Sequence, residues 1–271
     1  MFQYVGYLNV IVFSALQLEQ FRTEAEHRRR LIDRGLYTLQ PAHLRRMADY
    51  YRVVKQKNSL LRGSASLYNK ATYELLDVWD LQISELGARI IQGRQSYVDR
   101  IRNKLAVQDR EFAPEAIELK YLAANGISSI ASLADIQFQL STRLKANREK
   151  ELLQKRCLTG PHRDELVLEI DRYAMQSYAS AGQQRSALLA LNLAQMDVHL
   201  DSSGMHPIFL FDDFDSELDL GRLKRLLERL EARAQIFLTT TKPQLISLEE
   251  RSEALFFFGS SQAGFIDWKP N

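Results

Sequence analysis

The sequence contains one cysteine, Cys157, in 271 residues. That excludes an internal disulfide framework and any Cys-x-x-Cys metal site, and a reducing cytosol is the expected compartment. The five histidines (His27, His43, His162, His199 and His206) have no His-Glu-x-x-His spacing, so zinc chemistry is not expected. No Gly-x-x-x-x-Gly-Lys-Ser/Thr phosphate-binding loop occurs, and the best candidate region, residues 63–72, holds a single glycine. Long apolar runs of bilayer length are also missing. The first eighteen residues carry no charge, but they lack a basic start and are interrupted by Gln3, Gly6, Asn9 and Gln17. They do not read as a signal peptide, and a soluble, cytoplasmic protein without a membrane partner is expected.

What is present is ordinary globular material, 45% hydrophobic and 26% charged, sufficient for one substantial core and an appended lobe. The net charge of +2 hides an asymmetry. Residues 19–62 hold 11 Lys/Arg against 5 Asp/Glu, residues 143–163 hold 7 against 2, and residues 164–271 hold 10 against 17. Basic faces suit polyanions because phosphate neutralisation releases counterions. A nucleic acid is one candidate partner there, with Arg45, Arg46, Lys55 and Lys57 as candidate contacts, but a charge run on a helix is more often a solvated face.

Apolar residues recur at helical spacing from Pro41 to Arg62, from Leu67 to about Phe112, and roughly from Ile130 to Leu153. The second stripe comprises Tyr73, Leu76, Trp79, Ile83, Leu86, Ile90 and Ile91, so the middle of the chain is expected to form an antiparallel helical lobe. Val10–Phe13 reads as a buried strand. After Pro161 the pattern changes to short apolar runs at 166–170, 208–211, 236–238 and 255–258, with helices near 183–200 and 219–233. That alternation predicts an α/β sheet with parallel strands, and the 265–268 run predicts a terminal hairpin.

Two segments carry chemistry. Ser180-Ala181-Gly182-Gln183-Gln184-Arg185 opens a Leu/Ala-rich helix, where a hydroxyl and free N–H groups can meet an anion and glycine lets it approach. An ordinary N-cap is the competing reading. Ile208-Phe209-Leu210-Phe211-Asp212-Asp213 is a buried-strand pattern ending in two carboxylates. Paired acids repel and are costly to desolvate, so a metal is the obvious compensation, with a solvated strand-end turn as the competing reading. Ser216-Glu217-Leu218-Asp219 and then Gln235-Ile236-Phe237-Leu238-Thr239-Thr240-Thr241 follow.

Those parts, in that order, resemble the C-terminal half of an ATP-binding-cassette ATPase head: signature motif, Walker B strand, D-loop and switch strand. Gly160-Pro161-His162-Arg163-Asp164-Glu165-Leu166 is similar to the Gly-Pro-His-Arg-Asp-Asp-Leu segment of the RecF DNA replication and repair family. Val12-Phe13-Ser14 with Arg28-Arg29-Arg30-Leu31-Ile32-Asp33 resembles that family's Val-Phe-Ser…Arg-Arg-x-x-Leu-Asp passage. Tyr51, Gln56, Asn58, Leu60 and Leu61 match a further helix, as do Trp79-Asp80 and Gly87-Ala88-Arg89-Ile90-Ile91. Ala15-Leu16-Gln17 departs from the family's Pro-Glu-Asp. The resemblance covers nearly the whole chain.

The fold implied is an α/β ABC/SMC-type ATPase head with an inserted all-helical lobe. Residues 1–15 would give a head strand, 16–153 the lobe and 154–271 the rest of the head. The resemblance further implies ATP and Mg²⁺ as cofactors, DNA binding by an ATP-dependent homodimer, RecR- and RecO-like partners, and assistance to RecA loading at gapped DNA. By position, Asp212 would ligate Mg²⁺ through water, Asp213 would be the general base and Thr240 would sense the γ-phosphate. Ser180, Gly182, Gln183 and Gln184 would cradle the partner's nucleotide, and Asp219 would cross the dimer interface. Nothing in spacing assigns His162 or Arg163. In the family the phosphate-binding loop lies well upstream of the Val-Phe-Ser passage, so the sequence is expected to be a fragment, a truncated reading frame or a degenerate relative. A non-catalytic DNA-binding or interaction module is the rival reading.

Overall fold

In the computed structural model the residues described are 8–63, 70–107, 116–205, 207–212, 220–230, 235–239, 256–259 and 266–269. Four β-branched and aromatic residues make strand β1 (Val10–Phe13). Ser14 ends it by capping helix α1 (Ala15–Thr23), accepting a hydrogen bond from Gln17 N at 3.2 Å. Helices α2 (Ala25–Leu39), α3 (Pro41–Gly63) and α4 (Lys70–Ala106) follow; α3 begins with Pro41, where a missing N–H costs nothing. The α4 stripe expected from Leu76, Ile83, Ile90 and Ile91 is fully buried.

Strand β2 (Ile117–Leu122) lies between α4 and α5 (Leu133–Gln154), the latter capped by Ser132. The central region is therefore not purely helical. β2 pairs antiparallel with β3 (Glu165–Ile170), which pairs with β4 (Tyr173–Ala174). The run at 166–170 thus belongs to a separate antiparallel sheet and not to the parallel one. Its alternation explains why: Leu166, Leu168 and Ile170 point inward while Glu165, Val167 and Glu169 remain half-buried. One-sided burial of this kind suits antiparallel ladders.

A short helix, α6 (Met175–Tyr178), precedes the long α7 (Ala181–Ser203), which ends on Gly204 in the left-handed conformation, φ 64°. Then come β5 (Ile208–Phe211), α8 (Leu220–Leu230), β6 (Gln235–Leu238) and the antiparallel hairpin β7 (Phe256–Gly259) and β8 (Ile266–Lys269). β1, β5 and β6 form a parallel sheet in that order, with Phe13 beside Phe211 and Phe211 beside Leu238. Ile11, Phe13, Phe209 and Phe211 face a core shared with α7 and with Leu226, Leu227 and Leu230 of α8. Arg229 ties α8 to Asp197 of α7 at 3.1 Å. The opposite sheet face carries Val10, Val12 and Phe237, all exposed.

Candidate functional site

Because β1, β5 and β6 are parallel, their carboxyl ends meet at one edge, where α/β sheets place ligands. Asp212 N donates to Phe13 O at 3.0 Å and Thr239 N to Phe211 O at 2.9 Å, so the ladder holds all three strand ends in register. Thr239 Oγ1 donates to Asp212 Oδ1 at 2.7 Å. The Asp212 carboxylate is exposed and retains acceptor positions for a cation. Fully buried Asn192 on α7 reaches the same edge from beneath, donating through Nδ2 to Val12 O (3.1 Å) and Gln17 Oε1 (3.2 Å).

At the start of α7 the capping reading is realised. Gln183 N donates to Ser180 Oγ at 3.3 Å, and Ser180 N donates back to Gln183 Oε1 at 2.9 Å. Gln184 is buried and donates to Ala179 O at 2.9 Å, which assigns it to bracing the turn. The box does not exhaust the donors: the Ser180 hydroxyl proton is uncommitted by its acceptor role, and the first helical N–H groups have no intrahelical acceptor. A Cβ on Gly182 would meet nothing within 4 Å. Packing within the chain does not require that glycine.

The predicted site residues divide into three sets. Ser180, Gly182, Gln183 and Asp212 lie on the exposed surface or at its margin, whereas Asp213, Asp219 with its D-loop, and Thr240 lie outside the described residues. Arg45 and Lys55 are exposed and Arg46 is half-buried. Lys57 is corrected: it is fully buried, not on a basic face. Its ammonium bonds Asp80 Oδ1 at 2.6 Å and lies 2.5 Å from Glu151 Oε2. Burial acts against its charge, but these acids and the nearby Cys157 hold its pKa above the usual lysine value. A period-3.6 stripe places residue 57 with Tyr50, Val53 and Val54, so its position on the inner face was readable.

In the Gly-Pro-His-Arg-Asp segment Gly160, Pro161 and Asp164 are buried, His162 is half-buried and Arg163 is exposed. Arg94 clamps Asp33 with Nε at 2.9 Å and Nη2 at 2.8 Å, and donates through Nη1 to Asp164 Oδ2 at 3.0 Å and Pro161 O at 2.7 Å. Tyr121 also donates to Asp164, and Ala124 N reaches its other oxygen at 2.9 Å. Burial raises the Asp164 pKa, offset in part by Arg94. For Asp33 burial acts upward too, but Arg94 and His43 prevail and hold its pKa below the usual carboxylate value. Gly160 has φ 132°, and a Cβ there would come within 2.3 Å of the Tyr50 hydroxyl. His162 Nδ1 shares a 2.6 Å hydrogen bond with Tyr50, while Arg163 donates to Cys157 O at 3.3 Å. Both His162 and Arg163 act as anchors here. Cys157 is buried, with its backbone N–H bonded to Asn58 Oδ1 at 2.6 Å.

Sequence reasoning did not anticipate Asn192 or the Thr239–Asp212 bond. The first shows no signal beyond a polar residue within a buried helix, and the second follows from the β5–β6 register. Among the described residues no group of three His, Cys, Asp or Glu side chains could hold a metal ion, and no helix is long and apolar enough to cross a membrane.

A solved structure of the recombination mediator protein RecF with ATPγS in the RecFOR pathway matches with a TM-score of 0.85 at 26% identity, over 98% of this chain and 69% of that one. The corresponding RecF–ATP structure matches at 0.84 and 25%, over 99% and 69%. The fold is that of an ABC/SMC-type ATPase head with a helical lobe. No family model matches the chain. The DNA replication and repair protein RecF of Shouchella clausii is 32% identical over 256 residues, covering 94% of this chain and 68% of that protein. That of Enterococcus faecalis is 34% identical over 241 residues, covering 88% and 64%. The chain belongs to the RecF family. It spans about two thirds of the length of these curated relatives.

Proposed function

We propose that the chain serves DNA repair and replication as the signature and Walker B part of a RecF-type ATPase, acting as a recombination mediator that assists RecA loading at gapped DNA. The observation that carries this reading is the convergence of Asp212, Thr239 and the strand ends on one sheet edge, with Asn192 linking that edge to the helix opened by Ser180. In the proposed division, residues 1–15 and 154–271 make the head and 16–153 the lobe. DNA binds across an ATP-closed homodimer, and RecR- and RecO-like proteins are the partners.

The residues present fit ATP·Mg²⁺ in part. The exposed Asp212 carboxylate suits a water-bridged magnesium ion, and Thr239 fixes its orientation. When bound, the magnesium ion supplies charge neutralisation to the transferring phosphoryl group. Asp213 holds and orients the attacking water, Thr240 senses the γ-phosphate, and Asp219 crosses to the second subunit. Ser180 Oγ–H and the N–H groups around Gly182 and Gln183 receive the partner's γ-phosphate, and the open space at Gly182 leaves room for it. Arg45, Arg46 and Lys55 contact DNA phosphates.

Lacking a phosphate-binding loop in its sequence, the chain alone should bind ATP weakly, and equilibrium dialysis with labelled nucleotide measures this. Tight binding by the chain alone defeats the division of roles. With a family strand–loop–helix unit fused to it, Ser180→Arg should abolish ATP-driven dimerisation, whereas Asp213→Asn should dimerise but hydrolyse roughly a hundredfold more slowly. Normal dimerisation of the first variant would leave the helix start as an ordinary cap. No hydrolysis by the unmutated fusion, with DNA binding intact, favours the second reading. That reading is a non-catalytic DNA-binding or interaction module.

A further inference from the structure

Helices α3 and α4 run antiparallel, and two contacts fix their register. Lys57 meets Asp80 at 2.6 Å, and a Cβ on Gly93 would lie 3.7 Å from His43 Nδ1. Between these anchors, one turn along from His43 and one turn back from Gly93, Arg46 comes opposite Arg89. Neither arginine has an ion-pair partner among the described residues. Asp49, the next carboxylate along α3, is bound by Arg52 at 2.7 Å. Arg46 is half-buried and Arg89 exposed. Burial, and then the charge of Arg89, depress the Arg46 pKa.

Holding two like charges side by side without an acid between them works against folding. A solvated helix face has no need of this, since long side chains can diverge or take a neighbouring carboxylate. An arginine pair does suit one ligand well: a phosphate diester, whose two free oxygens accept the planar N–H forks of both guanidinium groups. Exposed Arg45 continues the same basic ridge.

We infer that Arg46 and Arg89, facing each other across α3 and α4, form a two-arginine clamp for a backbone phosphate of DNA. The inference rests on the DNA-binding reading above and adds to it a specific site and a residue, Arg89, on a second helix. Contacts here are independent of base sequence.

The test compares Arg89→Gln with Arg102→Gln, each removing one positive charge; Arg102 is exposed and pairs with Asp99 at 3.4 Å. Binding of a short mixed-sequence duplex by the strand–loop–helix fusion with ATP is titrated over a series of salt concentrations. Arg89→Gln should weaken binding about tenfold and lower the salt slope by roughly one, while Arg102→Gln should change affinity less than about twofold. Arg89→Glu should abolish the contact yet raise the thermal midpoint, because it turns repulsion at Arg46 into an ion pair. Equal losses for both Gln variants would reduce the clamp to overall charge. A lowered midpoint for Arg89→Glu would make Arg89 structural and overturn the inference. Equal, Arg89-dependent binding of polyglutamate would overturn the phosphate assignment. No duplex binding by the unmutated fusion with ATP would overturn the parent reading itself, whereas binding insensitive to Arg89 would overturn the clamp alone.

Discussion

The junction between the helical lobe and β3, and the carboxyl edge of the parallel sheet, both gather charged and polar groups but treat them differently. At the junction Lys57, Asp80, Glu151, Arg94, Asp33 and Asp164 are all 3% exposed or less, and each is bound by oppositely charged neighbours. At the sheet edge Asp212 is exposed and, among the described residues, bonded to the side chain of Thr239. Many of the residues that carry the family resemblance belong to the junction. Arg28 bonds Glu165, Arg29 bonds Asp164 O, Asn58 bonds Cys157 N, and Gly87 leaves room for Pro161. A large part of a family's recognisable sequence thus encodes how its lobe is held to its head, and a smaller part encodes chemistry.

The comparison breaks most visibly at Arg94. Arg94→Met leaves Asp33 and Asp164 buried without their cation, and should lower stability by about 3–5 kcal/mol in urea titration. A loss below about 1 kcal/mol would mean that solvent reaches the junction. Acid sharpens the contrast next. Burial pushes the pKa of both His162 and His199 down from 6.5 to about 4. The unfolded chain takes up those protons first, so stability is full above pH 6.5 and declines as the pH falls towards 4, by roughly 2–3 kcal/mol for each histidine. His199→Gln should remove about half of that slope, and an unchanged slope would place the titration elsewhere. The smallest effect belongs to the start of α7. Ser180→Ala removes one cap bond and should cost about 1 kcal/mol in the same titration.

Helix α3 and the strand β5 were legible because each has a single unambiguous period, 3.6 in one and a continuous apolar run in the other. β2 was not, since Ile117–Leu122 is short, carries Glu118 and Lys120, and is stabilised by its partner β3 and a Lys120–Glu169 pair at 2.6 Å. Lys57 was misplaced by counting charge without helical phase. The order of capped helix, acid-ended strand and threonine-ended strand points to the edge where β5 and β6 end side by side, but the identity of the bonded threonine depends on strand register, which composition does not encode. Asn192 illustrates the same limit, because its two acceptors come from residues 180 and 175 positions earlier in the chain.

One buried group has a practical consequence. Burial pushes the pKa of Cys157 up to about 12, only partly countered by Lys57, and its thiol donates to Thr159 O at 3.4 Å. Reagents that need a thiolate therefore find none in the folded chain. A cysteine placed on the surface, at Arg89 or Ser180 for example, becomes the one position that takes a fluorophore, with no background to remove by mutation. Left as it is, Cys157 reports how often its segment parts from Asn58 of the lobe, since alkylation needs that contact to open.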